Sequence, residues 1–277
     1  TMHRDGDGGP QDLAEARRLL GLAAAQGVAN AQTILGILHR RGQGGPKDLA
    51  EARRLLGLAV AQGNAGTQRV LGTMHYDGEG GPKDLAEARR LFGLAAAQGD
   101  AEAQTMLGCM HCNGHCGGPK DLTEARRLFG LAAAQGDAEA QGVLGNMYCH
   151  GESGPKDLAE ARRLYGLAVA QGDANAQTML GCMHRRGKGG PKDLAEARRL
   201  YGLASVQGYA DAQTRLGSMH YDGQGGPQDL AEARRLLGLA AAQGEAEAQA
   251  TLGSMHHAGD GGPQDLAEAR RLLGLAA

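Results

Sequence analysis

The stretch Gly80–Asp100, GGPKDLAEARRLFGLAAAQGD, returns eight times in near-copy along a chain of 277 residues. Eight prolines mark the copies: Pro10, Pro46, Pro82, Pro119, Pro155, Pro191, Pro227 and Pro263. They stand 36 residues apart, with one step of 37 between Pro82 and Pro119. A fixed period in this range identifies stacked supersecondary units, each burying its apolar face against its neighbours. The expected architecture is a single array over residues 1–277, with units of about 1–27, 28–63, 64–99, 100–136, 137–172, 173–208, 209–244 and 245–277.

One unit shows how the pattern folds. Asp100 is placed to N-cap a helix, here called A, whose apolar or small residues Ala103, Met106, Leu107 and Met110 fall at helical spacing. Asn113-Gly114, Gly117-Gly118 and Pro119 end it. Asp121 then opens helix B, with Glu124 three residues on, a capping-box-like pair repeated at Asp48/Glu51, Asp157/Glu160 and Asp193/Glu196. Leu122, Ala125, Phe129 and Ala132 share one face of helix B, and Gly136 closes it in the manner of a left-handed C′ glycine. The fold class is therefore all-α, about eight helix-loop-helix repeats. Helix A carries an internal glycine after its leucine in every complete copy, as at Gly36, Gly72 and Gly108. Each costs about 1 kcal/mol relative to alanine, so a close helix–helix approach is expected there. Helix B carries its own glycine, at Gly21, Gly57, Gly93 and onward, to which the sequence assigns no role.

The formal charge of -2 argues against nucleic acid as the main partner, since that role usually needs a basic face. Every unit carries an arginine pair, Arg17/Arg18 through Arg270/Arg271, below acids such as Asp12 and Glu15. Glu15 and Arg18 stand at i,i+3, which favours a charge-balanced, solvated face, with an anion-binding stripe as the alternative. No apolar run approaches the roughly 20 residues of a membrane span, and no signal peptide is visible. The compartment stays unassigned. The chain opens at Thr1-Met2-His3 and stops at Leu275-Ala276-Ala277 without polar capping units, so a segment of a longer array is expected.

The unit A-x-A-Q-x-x-L-G-x-M-H followed by G-x-G-G-P-K-D-L-x-E-A-R-R-L-x-G-L-A-A-A-Q-G resembles the Sel1-like repeat, a relative of the tetratricopeptide repeat with longer units. The likeness spans the whole chain. It departs from the family in helix B, where the usual aromatic pair is Leu19-Leu20, Leu128-Phe129 or Leu164-Tyr165. It departs again in helix A, where the family's tyrosine is histidine in every complete copy except at Tyr148. The resemblance implies a right-handed α/α superhelical solenoid. It also implies an adaptor that assembles protein complexes, as in degradation at the endoplasmic reticulum and in bacterial signalling.

Variation among the units points to a site. Three helix A positions change at i, i+4 and i+7, hence on one helical face. They read Thr33, Ile37, Arg40; Arg69, Thr73, Tyr76; Thr105, Cys109, Cys112; Gly142, Asn146, Cys149; Thr178, Cys182, Arg185; Thr214, Ser218, Tyr221; and Ala250, Ser254, His257. Such a stripe is expected to be exposed. In related superhelices the A helices line the concave surface, so a protein or peptide partner is expected along it. The alternative is drift on a solvated face. Arg40, Arg69, Tyr76, Asn146, Arg185, Tyr221 and His257, with the four stripe cysteines, are the candidate contacts, since tyrosine and arginine are frequent hot-spot residues.

Two other chemistries stay open. Cys109, Cys112, His115 and Cys116 form a dense thiol and imidazole cluster at the inserted residue, suited to zinc or to a redox sensor. Only one such knuckle is present, so adventitious thiols are the competing reading. The repeated histidines, His39, His75, His111, His184, His220 and His256, are read as packing residues, because Tyr148 takes their place in one unit. A β-lactamase-like hydrolase rests on family analogy alone. The glycine-rich loops follow helices rather than strands and so lack the context of a nucleotide site. No cofactor and no catalytic residue is expected.

Overall fold

The computed structural model describes residues 12–114 and 119–275, which form fifteen α-helices and no strand. The B-type helices are α1 (Leu13–Ala25), α3 (Leu49–Val60), α5 (Leu85–Ala97), α7 (Leu122–Ala134), α9 (Leu158–Ala170), α11 (Leu194–Val206), α13 (Leu230–Ala242) and α15 (Leu266–Leu275). The A-type helices are α2 (Ala29–Arg41), α4 (Ala65–Asp77), α6 (Ala101–Asn113), α8 (Ala138–His150), α10 (Ala174–Arg186), α12 (Ala210–Asp222) and α14 (Ala246–Ala258). The chain divides into two compact units, with the division between Asp137 and Ala138. Within each unit, every helix packs on its neighbours in chain order.

The expected caps form. Asp48, Asp84 and Asp121 each accept a hydrogen bond from the backbone N–H three residues on, and Asn64 and Asp100 do the same for helix A. The capping box is only half made. The glutamate does not turn back to the cap but holds the second arginine, as Glu87 holds Arg90 at 2.7 Å. The N–H it would have reached is taken by the preceding A helix: Asp84 N–H donates to the His75 carbonyl at 2.9 Å, and Asp193 N–H to that of His184.

Inside a repeat, the glycine of helix A meets one bulky residue of helix B. A methyl group at Gly108 would lie 2.9 Å from the Phe129 ring, one at Gly145 2.8 Å from Tyr165, and one at Gly36 2.9 Å from Leu56. All three facing side chains are buried. The aromatic departure in helix B is thus a choice of ring or leucine for a shelf of bare backbone. The glycine of helix B behaves oppositely: a methyl group at Gly57, Gly93 or Gly202 would meet nothing within 4 Å.

Repeats are joined by a glutamine ladder. Gln104, buried in α6, donates to the Ala96 carbonyl at 3.1 Å and accepts from Gln135, beyond α7, at 2.9 Å. Gln213 and Gln243 repeat the pattern in the second unit. This explains the A-x-A-Q and Q-G strings: a buried amide requires partners, and leaving one unpaired costs about 1–3 kcal/mol.

The two glycine classes predict opposite signs. Gly93→Ala should raise the urea midpoint, by a gain of about 0.5–1 kcal/mol from helix propensity without a clash. Gly108→Ala, which forces Phe129 to shift, should lower it despite the same propensity gain. Equal effects at the two sites would contradict the packing described.

Candidate functional site

The structure separates the two arginines of each pair. The second lies on the surface in an i,i+3 ion pair with its glutamate, as in Arg54–Glu51 and Arg163–Glu160. These pairs are solvated and worth little to stability. The first arginine reaches into the next repeat. Arg53 NH2 lies 2.7 Å from Nδ1 of His75, and Arg53 NH1 donates to the Pro82 carbonyl at 3.1 Å. Arg17 with His39 and Pro46, Arg198 with His220 and Pro227, and Arg234 with His256 and Pro263 do the same. Arg162 meets His184 but leaves its NH1 buried without an acceptor. The first arginine of six of the pairs is therefore neither on a solvated face nor in an anion stripe. The signal lay in the sequence as a fixed offset of 22 residues between arginine and histidine.

Guanidinium only donates, so each histidine must accept and be neutral on that nitrogen. Burial, and then the facing arginine, hold His39, His75, His111, His184 and His220 below the usual imidazole range; the acids Asp84 and Glu87 beside His75 oppose this weakly. The loop glycines complete the junction. Gly80 takes a left-handed φ of 71°, and a methyl group there would overlap the Leu49 carbonyl at the start of the preceding B helix. Gly81 lies against the Arg53 guanidinium.

The variable stripe is less exposed than the sequence suggests. Thr105, Gly142, Thr178 and Thr214 are buried, and of the candidate contacts only His257 is exposed. The reason is that the stripe lies at the seam between successive A helices. In the first unit Thr33 bonds Thr67 at 2.8 Å, Arg69 pairs with Asp100 at 3.3 Å and Glu102 at 2.7 Å, and Thr105 donates to Asp137 at 3.0 Å. Arg40 pairs with Glu79, and Lys83 Nζ sits 5.1 Å from the centre of the Tyr76 ring. Cys109 and Cys112 are half-buried on α6.

In the second unit Tyr221 donates to Asp260 at 3.1 Å. Asn146 and Cys182 serve the helix B rings, accepting the phenols of Tyr165 at 2.6 Å and Tyr201 at 3.2 Å. Their variation is tied to packing, because a buried phenol needs a partner. Cys149 and Arg185 are half-buried nearby.

Of the thiol cluster, His115 and Cys116 lie outside the described residues. Among the described residues no three histidine, cysteine or acidic side chains gather as metal ligands. Ser153-Gly154-Pro155-Lys156 does have the S-x-x-K spacing of a serine nucleophile. It sits in the loop before α9, with Ser153 at φ 55° and Lys156 exposed, so no helical turn brings the two together. Ser153 stands where other repeats have the junction glycine.

The histidine geometry carries a pH prediction. Folding lowers the imidazole pKa, so between that value and about 6.5 the unfolded chain binds more protons. The stabilisation is complete above pH about 6.5 and is lost as the pH falls through the folded value. The urea midpoint should therefore fall between about pH 7 and pH 5. Replacing His39, His75, His111, His184 and His220 by glutamine should flatten that fall. An unchanged slope in the variant would contradict the neutral acceptor.

A model of the Sel1 repeat matches residues 1–28, 29–64, 67–100, 101–137, 138–173, 174–209, 210–245 and 246–277. The chain is 32% identical to a protective antigen present in uropathogenic Escherichia coli strains that displays an SLR fold, with a TM-score of 0.85 over 94% of this chain and 56% of that one. It is 33% identical to a Sel1 repeat protein from Oxalobacter formigenes, with a TM-score of 0.75 over 94% of this chain and 75% of that one. The chain thus spans little more than half the length of the first of these relatives. A search of curated proteins finds no match.

Proposed function

Since the chain belongs to the Sel1 repeat family, we propose that it is a scaffold holding a protein or peptide along the A-helix seams of its two units. Sel1 repeats generally mediate protein interactions. The observation that carries the reading is where variation is permitted. The helix B caps, glutamine ladder and glycine shelf are nearly identical from repeat to repeat, the arginine junction recurs in most of them, and each is consumed by folding. The seam positions differ from repeat to repeat, and many stay half-exposed: Arg40, Arg69, Tyr76, Cys112, Cys149, Arg185 and Tyr221. Tyrosine and arginine held by neighbours lose little side-chain entropy on binding, which suits them as anchors.

Among the described residues no helix is long and apolar enough to cross a membrane. The mechanism proposed is non-covalent, many small contacts on a surface pre-organised by the repeat junctions.

Affinity capture from host lysate tests the reading. The intact chain is compared with a variant carrying Tyr76→Ala, Arg185→Ala and Tyr221→Ala, both checked by circular dichroism for intact helices. Partners captured by the intact chain and lost by the variant are expected. Identical partners on both would place binding on another face.

A further inference from the structure

The second unit contains a cavity of about 170 Å³ whose lining breaks the pattern of the array in one direction. Its floor is Tyr165, Met179 and Met183, with the thiols of Cys149 and Cys182 beside them. His150, Arg186, Lys188 and Arg215 complete it, and no aspartate or glutamate lines it.

Two of the cations depart from their counterparts. Arg215 occupies a helix A position held elsewhere by Ile34, Val70, Met106, Val143, Met179 and Thr251. Lys188 occupies a loop position held by Gln43, Glu79, Glu152, Gln224 and Asp260. Arg186 shares its position with Arg41, where two other repeats have Asp77 and Asp222. Two changes, at two places in the repeat and from two successive repeats, add positive charge to a hollow that Arg186 already lines. Arg215 pairs with Asp211 at 2.9 Å, outside the lining, and its guanidinium is steered by that bond. Arg186 and Lys188 make no ion pair among the described residues.

We propose that this cavity receives a carboxylate side chain of an acidic partner peptide. At about 30 Å³ per water the volume holds roughly six waters, enough for one such side chain. The apolar floor takes the methylene stem, and the cations give charge-assisted hydrogen bonds to the carboxylate. Charge complementarity of this kind sets partner choice and encounter rate. The inference rests on the scaffold reading and names the chemistry of one contact within it.

The test uses the intact chain and a fluorescein-labelled glutamate-rich peptide, followed by fluorescence anisotropy against its glutamine counterpart. The glutamate peptide should bind at least tenfold more tightly than the glutamine one, with the preference weakening as salt rises. A chain carrying Lys188→Glu and Arg215→Met, residues other repeats already hold at those positions, should lose that preference. Should that chain fail to fold, Arg186→Asp alone should reduce the preference. No binding of the glutamate peptide, equal binding of both peptides, or a preference unchanged in the variants overturns the proposal. None of these results touches the seam-variant capture, so the scaffold reading stands or falls separately.

Discussion

Each repeat is held by a side chain it does not own. In its complete form, at Arg17, Arg53, Arg198 and Arg234, the first arginine of helix B crosses to the next repeat, donates to a histidine ring and a proline carbonyl, and lies against a glycine with no room for a methyl group. Bonds from a guanidinium are charge-assisted and worth about 1.5–3 kcal/mol each. The G-x-G-G-P loop, the Arg-Arg pair and the Met-His ending of helix A are three views of this one contact. They recur together except in the repeat that holds Tyr148 and Ser153.

This division of labour separates what repeats must share from what they vary. Buried amides need partners, so both glutamines are fixed. The ring or leucine of helix B needs bare backbone opposite, so the helix A glycine is fixed. Seam positions bond across to the next A helix or the loop that follows it, and there the chemistry differs: threonine to threonine at Thr33–Thr67, arginine to acids at Arg69, phenol to carboxylate at Tyr221–Asp260. A surface assembled from such pairs is both rigid and individual, as a scaffold for a particular partner requires.

Much of the fold is legible in the sequence because it is local. Period, caps, helix limits and the close approach at the helix A glycine follow from spacing and residue type. The junction is harder to read, since Arg53 and His75 lie 22 residues apart in different repeats, and only the constancy of that interval betrays them. The stripe of helix A was legible as a face but not as a seam: whether Thr105 is exposed depends on where Asp137 falls. The phenol acceptors Asn146 and Cys182 could not be separated from drift until the rings of Tyr165 and Tyr201 were placed above them. The basic cavity is visible only when positions of two repeats are brought together in space.

The most direct measurement of the central claim is hydrogen exchange, read by mass spectrometry, on the intact chain and an Arg53→Met variant. If the arginine holds the next repeat, protection should fall in the loop around residues 78–84 and at the adjoining ends of α3 and α4, with the second unit unchanged. Unaltered protection in that loop would show that packing alone seats it, and the junction would lose its place at the centre of the account.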